Sequence, residues 1–155
     1  MNPAHLHLLL NHILLPGILF GLALLLVALS RNNDELKKLS CCVFVLIALL
    51  AIPTYLTGEG AEEIVEHLPG IEHELIEEHE ESALVSLVAI EVLGLLSLAG
   101  LVRFRGSGEL PRWFVTACLL LAIVVAGMVA WTSNLGGRIS HSETRPGFQS
   151  SITAE

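Results

Sequence analysis

The chain reads as an all-α integral membrane protein, a four-helix up-down-up-down bundle with both termini outside. Three observations carry that expectation. Four apolar stretches, 13–29, 39–56, 83–102 and 114–131, are nearly free of charge. Each approaches the roughly 20 residues that a helix needs to cross about 30 Å of hydrocarbon. All eight Lys and Arg residues fall near the ends of these stretches, whereas the connection from Thr57 to Glu81 has no Lys or Arg and ten acidic residues. The positive-inside rule then puts Arg31, Lys37, Lys38, Arg103, Arg105 and Arg112 on the cytoplasmic side and the acidic connection outside.

The elements follow in order within one membrane domain, 1–155. Met1-Asn2-Pro3-Ala4-His5 lacks the basic stretch of a secretory signal and the apolar run after it is too long for one, so the first span, about 12–30, is expected to be kept. Arg31-Asn32-Asn33-Asp34 has the residue types of a helix restart, leading into a second span at about 39–57. An outer helical connection covers 58–81. Thr57-Gly58-Glu59-Gly60 opens it, a short amphipathic helix follows over 61–68, and Pro69-Gly70 ends that helix. From Ile71 the helical pattern runs unbroken into the third span, about 82–103, and so projects above the membrane. A flexible turn over 106–111 leads to the fourth span, about 113–133, and a polar tail covers 142–155. Short connections imply antiparallel neighbours.

Composition fits this picture, with 53% apolar residues and a mean hydropathy of +0.69. Most of the net charge of −8 sits in the outer connection, which argues against nucleic acid as a partner and against anionic lipid on that face. Trp113 on the inner rim, with Tyr55 and Trp131 on the outer one, has the placing of an aromatic belt. Cys41, Cys42 and Cys118 lie toward the cytoplasmic ends of spans two and four without Cys-x-x-Cys spacing, and read as small packing residues.

The chemistry-bearing residues are the histidines. His5, His7 and His12 precede the first span, His67, His73 and His79 lie in the outer connection, and His141 follows the fourth span. Antiparallel threading brings these groups to one end of the bundle, as a metal or haem site requires. His12 precedes Pro16-Gly17, an expected kink, and is read as facing the bundle, with His7 about 140° round the helix from it. His79 enters the membrane on a face continued by Ala83, Ser86, Ile90 and Ser97, and Gly136-Gly137 should let His141 turn back over the bundle mouth. His67 and His73 stand among glutamates and read as a solvated acidic face.

His7-Leu8-Leu9-Leu10-Asn11-His12 with Pro16-Gly17, Tyr55-Leu56-Thr57-Gly58-Glu59, His79-Glu80-Glu81-Ser82-Ala83 and Gly136-Gly137-Arg138-Ile139-Ser140-His141 together resemble an uncharacterised bacterial family of four-span membrane proteins with recurrent His residues at the outer helix ends. The resemblance runs from His5 to Arg145. It implies a redox or metal-binding role carried by His7, His12, His79 and His141, with no counterpart for His5, His67 or His73. Ser140 and Ser142 stand where the family pattern has Arg and Pro, so no anion partner is implied at those two positions.

The leading expectation is haem b for membrane electron transfer, with His12 and His79 as axial ligands, His7 and His141 beside them, and Arg138 as the cation for the propionates. The alternative is non-haem copper, iron or zinc held by His7, His12, His79 and His141 with Glu80 or Glu143. A cofactor-free structural or assembly subunit is the third. No Glu-x-x-His pair occurs, which excludes the carboxylate-bridged di-iron pattern, and His73-Glu74-Leu75-Ile76-Glu77 has Glu77 where a zincin needs its second His. Glu91, about 18 Å along the helix from His79, falls near the bilayer midplane and reads as a neutral, hydrogen-bonded carboxyl. Redox or respiratory-complex partners, a homo-oligomer and the cytoplasmic membrane, with the His site on the periplasmic side, complete the expectation.

Overall fold

The computed structural model describes residues 2–67, 71–106, 108–141 and 144. These form five helices, α1 (Pro3–Ser30), α2 (Asp34–Leu56), α3 (Gly58–Val65), α4 (His73–Arg103) and α5 (Arg112–Ser140), with no strand among the described residues. Four helical stretches, built on α1, α2, α4 and α5, are long and apolar enough to cross a membrane.

Local chemistry accounts for the helix ends. Asn2 caps α1 by accepting from the Ala4 N–H at 3.0 Å, and Pro3 occupies the first turn, where its missing N–H costs nothing. At the other end Asn32 adopts a positive φ of 46°. The Asn33 N–H then reaches Ala28 O at 2.9 Å and the Asn32 N–H reaches Leu29 O at 3.2 Å, a Schellman closure. Asn33 in turn caps α2 by accepting from the Leu36 N–H at 3.0 Å. Two adjacent asparagines thus stop one helix and start the next.

α1 packs on α2, α2 on α4, α4 on α5, and α5 returns to α1. The buried residues of α1, Leu14, Ile18, Gly21, Leu25 and Ala28, recur at three- and four-residue spacing, which makes one stripe along the helix. Large apolar side chains such as Phe20, Leu49, Leu95 and Leu120 point away from the core, as expected where the surrounding medium is itself hydrocarbon. In such a medium close contact rather than water exclusion holds helices together. A methyl group on Gly17 would collide with Ile47, one on Gly21 with Phe44 and one on Gly94 with Ala48.

At the basic end Lys37, only 5% exposed, pairs with Asp34 at 3.0 Å and reaches Asn32 Oδ1 at 3.4 Å. The Asp34 carboxyl lies below its ordinary range, chiefly through the Lys37 hydrogen bond and also through the Leu110 backbone N–H. The two turns at this end are therefore tied together.

Four boundaries differ from expectation. α3 starts at Gly58, inside the expected breaker Thr57-Gly58-Glu59-Gly60, rather than at Ala61, and ends at Val65. α1 starts at Pro3, well before the apolar run, because its cap and proline are already in place. α4 starts at His73 rather than Ile71, and the expected break at Pro69-Gly70 lies outside the described residues. α5 runs straight through Gly136-Gly137 to Ser140, so the chain does not turn back there. Gly136 serves close packing instead, as its neighbours show below.

Candidate functional site

The start of α1, the end of α2, the start of α4 and the end of α5 meet at one end of the bundle. His7 on α1 and His79 on α4 face each other there, with ring centres 6.5 Å apart and ring planes at 86°. Both rings are held in the same way. His7 Nδ1 lies 2.9 Å from Thr54 O on α2 and His79 Nδ1 lies 3.1 Å from Thr132 O on α5. A carbonyl can only accept, so Nδ1 carries a proton in both rings, and in the neutral form of each ring Nε2 keeps its lone pair. That is the orientation in which a metal-binding imidazole is normally fixed by a neighbouring acceptor.

Glycines make room for both rings. A methyl group on Gly136 would lie 3.1 Å from His79 Cε1, and one on Gly58 would lie 3.7 Å from His7 Cε1. The first is tighter than ordinary contact, so Gly136 is where α5 lets the imidazole reach Thr132 O. Thr132 also organises the layer below. Its hydroxyl donates to Met128 O at 3.1 Å, and having one proton it must accept from Ser82 Oγ at 2.7 Å and Ser86 Oγ at 2.9 Å. Beside this layer a groove of about 440 Å³ opens between α4 and α5, lined by Ser82, Ser86, Gly127, Met128 and Trp131 among others.

The other expected ligands are elsewhere. His12 is exposed, and its Nδ1 donates to Leu8 O of its own helix at 2.6 Å. The expectation that His12 faces the bundle is corrected by the setting of α1, since Gly21 packs on α2 and His12 lies about 180° round the helix from it. His7, fourteen positions before Gly21 and so nearly on its stripe, takes the inward place. His141 ends α5 as an exposed residue with its backbone N–H on Gly137 O at 2.9 Å, and Arg138 is partly buried in the last turn. Glu80 is exposed and shares a hydrogen bond with Glu62 on α3, which holds the Glu62 carboxyl above its ordinary range. Glu143 lies outside the described residues. His67 and His73 are exposed, as an acidic solvated face implies.

No group of three or more His, Cys, Asp or Glu side chains able to hold a metal occurs among the described residues. Glu91 Oε1 is buried without a hydrogen-bond partner in the described structure, where a hydrogen-bonded carboxyl was expected. The sequence did not mark Thr54 or Thr132, and it marked Gly58 and Gly136 as breaking or turning positions rather than as neighbours of the two imidazoles. The small residues Gly17 and Gly21 carried a usable signal, because they mark the face of α1 that approaches a neighbour and hence which histidine turns inward.

No family model, curated protein or solved structure matches this chain. The function must be argued from the geometry of the histidine pair.

Proposed function

We propose that the protein is a membrane electron-transfer protein that holds haem b between His7 and His79 at the outer end of an up-down-up-down bundle in the cytoplasmic membrane, with both termini outside. The mutual position of the two imidazoles carries the proposal. They come from different helices, both have Nδ1 engaged by a backbone carbonyl, and both keep Nε2 for a ligand. Two imidazoles opposed across one iron have ring centres about 6 Å apart, given metal–nitrogen bonds of about 2 Å, and the observed spacing is 6.5 Å. That spacing, together with the two anchored Nδ1 atoms, supports the bis-histidine haem reading.

Haem b would supply a one-electron centre. The chain's own residues do the rest. Thr54 O and Thr132 O fix the ring orientations and make the imidazoles more basic ligands, while the Thr132–Ser82–Ser86 layer anchors the α4–α5 contact beneath. The outer location follows from the charge pattern, because the basic turns lie at the opposite end and face the cytoplasm by the positive-inside rule. A redox protein or respiratory subunit, or a second copy of this chain, would meet the outer face.

The same spacing favours a second reading, a bare copper, iron or zinc ion, because the two rings need to close only slightly to share one metal. An absorption spectrum with elemental analysis of the detergent-purified protein separates the readings. A Soret band that is lost in His7→Ala and His79→Ala supports haem, and stoichiometric metal without that band supports the ion. Neither signal returns the protein to a structural or assembly role.

A further inference from the structure

The lipid side of α4 carries one residue out of keeping with its surroundings. Leu84, Val88, Leu95, Leu98 and Val102 are 48%, 56%, 63%, 45% and 57% exposed. With Glu91 they recur at alternating four- and three-residue steps, which makes one strip about 27 Å long down the helix. That is nearly the depth of the hydrocarbon, and Glu91 falls near its middle. Large apolar residues repeat on the outward faces of the other spans too, but the stretches 13–29, 39–56 and 114–131 contain no Asp, Glu, Lys, Arg or His at all. Glu91 Oε1 is buried without a hydrogen-bond partner among the described residues, while the residue as a whole is only partly buried. Water is absent at this depth. An intramembrane acid ordinarily faces the bundle interior or a water-filled cavity and is paired there. Glu91 instead shares its strip with lipid-facing leucines and valines, so one chain alone leaves its carboxyl unsatisfied.

We propose that this strip of α4 is the interface of a lateral homodimer, in which Glu91 hydrogen-bonds to the same residue of a second copy across a two-fold axis parallel to the membrane normal. A neutral carboxyl carries one O–H donor and one C=O acceptor, so it is complementary to its own kind, and two of them close a cyclic pair. Only the soft terminal torsion of the side chain has to turn for both oxygens to be presented. A second copy inserted the same way necessarily places its own carboxyl at the same depth, whereas an unrelated protein would need a polar group there by coincidence. Pairing of like surfaces about a two-fold axis is also the commonest symmetry of oligomers. The four- and three-residue steps are those of a seam between helices that cross at about 20°. A single polar residue in an otherwise apolar seam fixes its register and the number of strands. The contact lies within the bilayer and is separate from whatever meets the outer face. It needs neither the haem nor the histidine pair.

The test uses the full chain, purified in detergent and reconstituted into phosphatidylcholine vesicles at a series of dilutions, with self-association read by energy transfer between two populations labelled at the N-terminus. The wild type should dimerise. Glu91→Gln should stay within about threefold of it, because a carboxamide also donates and accepts, and Glu91→Leu should weaken dimerisation about tenfold or more while its helical circular dichroism is unchanged. Oxidative cross-linking gives a second readout that leaves Glu91 in place. It is run in a Cys42→Ser background, since Cys42 is the exposed native thiol among the three. There Leu95→Cys and Leu98→Cys should form disulfide-linked dimers, whereas Phe20→Cys on α1 and Leu120→Cys on α5, each at a position 60% exposed, should not. A monomer at every dilution, Glu91→Leu dimerising as the wild type does, or cross-links at Phe20→Cys and Leu120→Cys as readily as at Leu95→Cys would overturn the proposal. The haem reading stands or falls separately, since neither measurement reads the cofactor.

Discussion

His79 reaches across from α4 to the Thr132 carbonyl of α5 at 3.1 Å, and it can do so because the next turn of α5 presents Gly136 to the imidazole. One backbone carbonyl and one missing methyl group thus decide where the ring stands.

The first prediction follows from that placement and its counterpart on His7. His7→Ala and His79→Ala should each abolish cofactor retention, because each removes one of two anchored ligands. His12→Ala should leave retention within about twofold, since His12 bonds to its own helix and faces outward. Loss of the cofactor in His12→Ala with retention in His7→Ala, read from the Soret band or metal content, would refute the pairing.

Gly136→Ala and Gly58→Ala make a matched pair. Alanine is favoured over glycine in a helix by about 1 kcal/mol, so neither change should lower thermal stability much. The added methyl meets His79 at 3.1 Å in the first case and His7 at an ordinary 3.7 Å in the second. Gly136→Ala should therefore weaken cofactor retention about tenfold or more while Gly58→Ala does not, measured by titration of the purified apoprotein.

Thr132→Val keeps the carbonyl that holds His79 but deletes the hydroxyl that accepts from Ser82 and Ser86. Two hydroxyls would then lose their acceptor, at a cost of about 1–3 kcal/mol. The melting temperature should fall while the cofactor spectrum stays unchanged. A shifted spectrum with unchanged stability would mean that the hydroxyl layer acts on the ligand rather than on packing.

At the basic end, ahead of the second apolar run, Asp34 holds the buried Lys37. Its carboxyl sits below the ordinary value of 3.8, so its contribution is complete above that pH and is lost as pH falls through the lower folded value. Asp34→Asn should destabilise the protein by about 1–3 kcal/mol at neutral pH, the cost of a lost hydrogen-bond partner, and should flatten the acid limb of its stability profile. An unchanged acid limb in thermal melts between pH 2 and about 5 would show that other carboxylates govern it.

Reporter fusions test the orientation. Fusions at Asn33 should report cytoplasm and fusions at Gly60 should report the outside, following the six basic residues of the inner connections. A cytoplasmic signal at Gly60 would place the histidine pair on the cytoplasmic face and overturn the outer-side reading.

The sequence by itself determined how many membrane-length helices there are and roughly where they end. Hydropathy is a sum along the chain, and signals such as Asn32-Asn33 act on their immediate neighbours, so both can be read without knowing what packs on what. It also restricted the candidate chemistry to the histidines at one end. The tertiary structure decided which histidines meet. That choice depends on the rotation of each helix about its axis, and the rotation is set by contacts between helices, such as Gly17 on Ile47 and Gly21 on Phe44. Those contacts turn His7 inward and His12 outward, although both lie in the same few residues of sequence. The same rotational setting makes Gly136 a packing position within α5 rather than a turn. Near-uniform apolar composition leaves such rotations almost unmarked in a single membrane sequence, because a lipid-facing leucine and a core leucine read alike.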